Sequence, residues 1–217
     1  MSKLSEVDLT LNEIDLTPLK KLFNAVLSDT TGYDIYLGGG YVRDLYFNAL
    51  NNCDDMEPKD VDLFFVPNGG ERKLPTIAKS YVNYDKSSSE IPDMEERGVD
   101  SVRGLFVRWL DTKDVQFIAY NNAMTQEELA ADMDCNINQV MICIDSNERF
   151  ATNDFIEGHS CEYIEMLHHF NFIRMGKRLA RMSDKFPGYE VVGDWDLSEF
   201  AKRVNDHVGS FCDEEAE

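Results

Sequence analysis

The chain contains no apolar run approaching the roughly 18 residues that a membrane-spanning helix needs. Its first residues, Met1-Ser2-Lys3-Leu4-Ser5-Glu6, lack the apolar core of a secretory signal. Cysteine is sparse: Cys53, Cys135, Cys143, Cys161 and Cys212 are odd in number and form no Cys-x-x-Cys pair. That pattern argues against a disulfide framework or a zinc ribbon and for a reducing compartment. The expectation is a soluble, cytoplasmic protein with no membrane partner. Positive charge is also scarce, with 21 Lys and Arg against 41 Asp and Glu and a net charge of −20. Such a field disfavours broad adhesion to nucleic acid or to anionic membrane. A nucleic-acid substrate would have to be held by a local basic patch.

What is present suffices for a folded core. At 217 residues and 43% hydrophobic, the chain fits one domain, or one domain with an appended helical part. Residues 1–16 read as an acidic arm. Thr17-Pro18 reads as a helix cap and first helical residue. Leu19, Leu22, Phe23 and Val26 then give an amphipathic helix ending near Ser28. Tyr33–Leu37 reads as a strand, the residues after Gly40 as a helix, and Asp60–Val66 as a second strand. A helix over Leu74–Tyr81 and an acidic loop over Asp85–Gly98 follow. Ser101–Leu110 and Asp114–Tyr120 read as a hairpin turning at Asp111-Thr112-Lys113. Thr125-Gln126-Glu127-Glu128 reads as a helix start with Leu129 and Met133 inward, and Ile137–Ile144 as a strand. Glu162–Lys185 is expected to be one helix stopped by Pro187-Gly188, and Asp196–Glu199 caps a last one.

Two stretches carry chemistry. In Leu37-Gly38-Gly39-Gly40-Tyr41-Val42-Arg43-Asp44 a strand passes through glycines into a helix N-terminus, where backbone N–H groups can receive phosphate oxygens. About 20 residues later, Lys59-Asp60-Val61-Asp62-Leu63-Phe64-Phe65 places Asp60 and Asp62 on one face of an otherwise apolar strand. Such a pair grips a divalent cation. A phosphate cradle beside a metal pair points to metal-dependent nucleotidyl transfer. Arg43, in the first helical turn, is positioned to pair with phosphate through its fork of donors. Asp44 reads as a cap or an arginine partner in preference to a catalyst.

These motifs resemble the head of the class II tRNA CCA-adding enzymes and bacterial poly(A) polymerases, within the DNA polymerase β-like nucleotidyltransferase superfamily. Asp134-Cys135-Asn136-Ile137-Asn138 is similar to the segment that joins that family's head to its neck. Arg174-Met175-Gly176-Lys177-Arg178-Leu179-Ala180-Arg181 is similar to its arginine-rich neck helix. The resemblance implies an α+β fold: a mixed-sheet nucleotidyltransferase head over 1–150, then a helical neck-like segment with an acidic tail over 151–217. It implies that Gly39, Gly40 and Arg43 touch the triphosphate of an NTP, that Asp60 and Asp62 hold two Mg²⁺ ions, with Mn²⁺ able to substitute, and that Asp134 and Asn138 border the nucleotide. Arg174 and Arg178 belong to the only dense basic cluster and would contact phosphate of the nucleotide or of an RNA acceptor end.

The chain departs from the family at three places. A third carboxylate is expected on a neighbouring strand; Asp114 is the candidate, whereas the mid-strand position on the same face holds Gln116. Met133 stands where the family has an arginine. Asp154–Gly158 with Glu162-Tyr163 does not match the neck segment that selects CTP and ATP, so full CCA synthesis is not expected. His168-His169 read as packing or surface residues, His159-Ser160-Cys161 as too isolated to hold zinc, and Trp109 and Trp195 as packing residues. Two functions follow: NMP transfer from an NTP to a hydroxyl, an RNA 3′ end first among acceptors, or a catalytically weakened relative that binds nucleotide or a partner protein.

Overall fold

The computed structural model describes residues 10–76, 99–105, 114–167 and 172–193. A helical turn over 10–13 and a 3₁₀ turn at Thr17–Leu19 lead into α1 (Lys20–Leu27). Then come β1 (Tyr33–Gly38), α2 (Gly40–Asn51), β2 (Asp60–Pro67), β3 (Val99–Leu105) and β4 (Asp114–Tyr120). They are followed by α3 (Gln126–Ala131), a 3₁₀ turn at Asn136–Asn138, β5 (Val140–Cys143), β6 (Arg149–Ala151) and α4 (Asn153–Cys161). β7 (Tyr163–Glu165), α5 (Phe172–Lys185) and β8 (Glu190–Val192) complete the described chain.

Six strands form a mixed sheet in the order β3-β4-β2-β1-β5-β6. β2 and β4 run parallel, and the other neighbours are antiparallel. Alternation along β2 dictates how both faces are covered. Val61, Leu63 and Phe65, with Leu37, Val115 and Phe117 beside them, pack under Leu22, Val26, Val42, Tyr46 and Phe155 from α1, α2 and α4. Phe64 and Val66, with Ile118, Tyr120 and Met141, pack under Leu129 and Ala130 of α3 and under Met133. The face that carries Phe64 and Val66 also carries Asp60 and Asp62, nearer the start of β2 than the residues that pack under α3.

A third cluster ties α5 to this head. Leu179, Met182 and Phe186 pack with Cys135, Ile137, Ile164 and Met166, flanked by Phe47 of α2. The sequence expectation of an α+β head with a mixed sheet therefore holds, and helix α5 packs directly against it.

Several local expectations are corrected. The arm is not loose where it is described: Leu11 and Ile14 are buried in the main core, and burying such side chains stabilises by roughly 1.5–3 kcal/mol each. Thr17 does not cap α1; its N–H donates to Asp15 Oδ1 at 2.8 Å, and the chain enters through a 3₁₀ turn. The single helix expected over Glu162–Lys185 is broken. Glu162 is left-handed at φ +55° and ends α4, and Tyr163–Glu165 pair in parallel with Glu190–Val192. Asn136–Asn138 is a 3₁₀ turn, so the strand expected from Ile137 begins at Val140. The capping box expected at Thr125 is present, with Glu128 N–H donating to Thr125 Oγ1 and Thr125 N–H to Glu128 Oε2. The acidic loop at 85–98, the turn at 111–113, His168-His169, Trp109, Trp195, the helix capped at 196–199 and residues 77–81 of the helix expected over 74–81 lie outside the described residues.

Candidate nucleotide and metal site

The glycine turn is built by closeness as much as by conformation. β1 ends at Gly38, where a Cβ would meet Phe64 Cε2 at 3.2 Å and the Val140 carbonyl oxygen at 3.3 Å. Gly39 then takes φ +65° and ψ −140°, a combination that side-chain-bearing residues avoid. Its N–H donates to Val140 O at 3.2 Å, and its carbonyl accepts from Arg43 N–H at 3.0 Å, which starts α2. No described side chain caps this helix. Its first-turn N–H groups are thus the kind that anions satisfy.

β2 delivers the acids to this turn. Gly38 is in register with Asp62, and Asp62 Oδ2 lies 3.9 Å from where a Cβ on Gly39 would be. Asp62 is half-buried and Asp60 is exposed. Across the parallel pair, Asp60 faces Asp114 and Asp62 faces Gln116. Asp114 is exposed, whereas Gln116 is only 7% exposed. Among the described residues no three His, Cys, Asp or Glu side chains gather closely enough to hold a metal ion, Asp60, Asp62 and Asp114 included. Two carboxylates beside an uncapped helix N-terminus still match magnesium chemistry, because Mg²⁺ is commonly held by one or two carboxylates with substrate phosphates completing the shell. The donor set therefore fits a cation that arrives with a nucleotide.

Arg43 sits beside the turn, with Nη2 3.5 Å from a Cβ built on Gly40. Its donors are already engaged. Nε and Nη2 donate to Asp44 Oδ1 at 2.9 and 2.7 Å, and Nη1 donates to Asn138 Oδ1 at 2.6 Å. The guanidinium also lies 5.4 Å from the Phe186 ring centroid. Asp44 is thus an arginine partner, and Lys185 of α5 pairs with its other oxygen. From Asn138 the network continues: its Nδ2 donates to Asp134 Oδ1 at 2.8 Å, and Asp134 Oδ2 pairs with Arg178. Burial opposes the charge on Arg178, but Asp134, Cys135 and Asp62 together raise its pKa. Arg178 is therefore within the electrostatic reach of Asp62. Arg174 falls in the first turn of α5, and its side chain lies outside the description.

The structure thus brings Gly39, Gly40, Asp60, Asp62 and Asp114 to one end of the sheet. It links Arg43, Asn138, Asp134 and Arg178 into one hydrogen-bonded chain beside that end. Lys185 was missed in the sequence; its only signal is its place in the last turn of the basic helix. His159 is a packing residue. Its Nδ1 is 2.8 Å from Tyr189 Oη, and it is ringed by Tyr46, Phe155 and Phe186. Its Nε2 has no partner among the described residues. Burial first, and then Arg43, lower its pKa to about 3. Gly158, one residue before it, presses so closely on Asn136 and Ile137 that a Cβ would clash, so α4 braces the turn that carries Asn138.

Comparison with known proteins gives a fold relationship. No family model matches the chain, and no curated protein matches it in sequence. A CCA-adding enzyme in complex with ATP is similar in structure, with a TM-score of 0.56 and 17% identity over 93% of this chain and 45% of that one. The Thermotoga maritima CCA-adding enzyme complexed with tRNA has a TM-score of 0.50 and 15% identity over 91% of this chain and 44% of that one. A CCA-adding enzyme with CTP gives a TM-score of 0.50 and 15% identity, covering 93% and 46%. The chain spans less than half the length of these proteins. They show a nucleotidyltransferase-type fold.

Proposed function

We propose that the chain is a metal-dependent nucleotidyltransferase that moves an NMP from an NTP to a hydroxyl acceptor, an RNA 3′ end first among them, and releases pyrophosphate. The observation that carries this reading is the closeness of the Asp62 carboxylate to the Gly39 turn, 3.9 Å from where a Cβ on that glycine would lie. A triphosphate laid on the open N-terminus of α2 would have its phosphates against the aspartates. ATP, CTP and tRNA in the relatives of this fold support the choice of donor and acceptor.

Each group has a distinct task in this reading. The N–H groups of Gly40 and the following residues receive phosphate oxygens. Asp60 and Asp62 hold the cation, and Arg178 adds positive charge within electrostatic reach of Asp62. Arg43 acts chiefly by fixing Asn138 and the turn. A divalent cation bound there neutralises phosphate charge and favours departure of pyrophosphate. The acceptor oxygen bonds to the α-phosphorus, the bond from that phosphorus to the bridging oxygen breaks, and the acceptor proton passes to solvent or to Asp114.

A second reading, nucleotide binding without transfer, is favoured by Gln116, since an amide in register with Asp62 brings neither charge nor basicity. Incubation with α-labelled NTPs, Mg²⁺ or Mn²⁺, and total cellular RNA and protein tests the two. Label entering a macromolecular fraction with wild type and not with Asp62→Ala is expected. Equal labelling with both contradicts the transferase reading, and bound NTP without label favours the second.

A further inference from the structure

The rungs of the β2–β4 pair are unequal: the outer one holds two carboxylates, Asp60 and Asp114, and the inner one holds Asp62 beside the neutral Gln116. Two catalytic ions sit about 3.5–4 Å apart and share a carboxylate between them. Asp62, next to the glycine turn, is the residue placed for sharing. Its neighbour on β4 can offer an ion only an amide oxygen. Residues i and i+2 along a strand are about 6.6 Å apart, so Asp114 lies diagonally from Asp62 and opposite Asp60.

The surroundings of Asp62 also contain a cation of the protein itself. Arg178 of α5 is paired with Asp134 and lies within the electrostatic reach of Asp62. Asp134 is in turn fixed by Asn138, which is fixed by Arg43. That arrangement spans three elements and holds the charge in place without a nucleotide.

We infer that the site takes a single divalent cation, carried in with the nucleotide and bound by Asp60 and Asp62, and that Arg178 is the second positive charge of the site. The inference rests on the nucleotide reading above and narrows it. One ion with a fixed guanidinium offsets part of the triphosphate's charge and leaves the acceptor without a metal of its own. Transfer then depends on how readily the acceptor oxygen loses its proton, and the rate climbs with pH until the acceptor is deprotonated.

The test counts ions directly. The full chain is titrated with Mn²⁺ in the presence of each of the four α,β-methylene NTP analogues, and bound ions are counted by electron paramagnetic resonance. Wild type is expected to retain one Mn²⁺ per chain with an uncoupled signal. Gln116→Glu combined with Arg178→Gln is expected to retain two, with a spin-coupled signal. Gln116→Glu alone leaves the Asp134–Arg178 pair intact and is expected to show a weaker second site, at least ~10-fold poorer than the first. Two coupled ions in wild type would overturn the inference. A double variant that folds and still holds one ion would overturn the roles given to Gln116 and Arg178. No Mn²⁺ retained with any analogue, in wild type as in Asp62→Ala, would instead remove the nucleotide reading itself.

Discussion

Asp62 Oδ2 and the α-carbon of Gly39 are close enough that a methyl group added to the glycine would rest on the carboxylate, at 3.9 Å. The same glycine is at φ +65°, so a side chain there costs roughly 1–3 kcal/mol in backbone strain. Gly39→Ala is therefore expected to lower stability by about that amount in urea unfolding and to weaken NTP binding by at least ~10-fold. Gly69→Ala is the control: φ +96° strains a side chain there as well, but nothing lies within 4 Å of its Cβ, and nucleotide affinity should be unchanged.

The two acids should separate from stability. Asp60 is exposed, so Asp60→Asn is expected to change stability by no more than about 0.5 kcal/mol while the Mg²⁺-dependent part of NTP affinity is largely lost. Thermal shift with NTP, with and without Mg²⁺, reads this. A variant that still gains the wild-type shift from Mg²⁺ would remove Asp60 from the cation site.

Asp44 is the opposite case. It is 2% exposed and faces both Arg43 and Lys185. Asp44→Ala leaves the buried guanidinium without its main partner and should destabilise by about 3–5 kcal/mol, as breaking a buried pair from one side does. Lys185 keeps 24% of its side chain exposed, and Lys185→Ala should cost no more than about 1 kcal/mol. Urea unfolding of both variants decides the ranking. Equal losses would mean that Arg43 does not need Asp44.

His159 ties stability to pH. Its pKa is lowered to about 3 in the folded chain by burial and Arg43, whereas an unfolded histidine titrates near 6.5. Between these values the unfolded state binds the extra proton, so stability is fully present above about pH 6.5 and is lost as pH falls. From pH 7 to pH 5 this one group removes about 2 kcal/mol. His159→Phe, in a box already made of Tyr46, Phe155 and Phe186, should lack that component. Parallel pH profiles for wild type and variant would contradict it.

The parts of the candidate site written in consecutive residues were legible in the sequence. Gly39–Gly40 and Asp60–Asp62 announce themselves because glycine at a helix start and acids in an apolar strand each run against local preference. The faces of β2 followed from period-two alternation. What could not be read was set by pairing between distant segments. That Gln116 and not Asp114 stands opposite Asp62 is a matter of strand register. That Arg43 also points a donor at Asn138 depends on how α2 meets the 3₁₀ turn. Residues Tyr163–Glu165 have helical neighbours and an ambiguous apolar pattern; only pairing with Glu190–Val192 makes them a strand. Leu11 and Ile14 were too few to signal a buried segment, yet the core needs them.

The central claim is that the Gly39 turn and the Asp60–Asp62 pair form one nucleotide–cation site. Calorimetric titration of wild type and Asp62→Ala with each NTP, with and without Mg²⁺, tests it most directly. The expected result is NTP binding to wild type that strengthens at least ~10-fold with Mg²⁺, and no Mg²⁺ effect in a folded Asp62→Ala. Identical affinities for the two proteins, or wild-type binding indifferent to Mg²⁺, would contradict it.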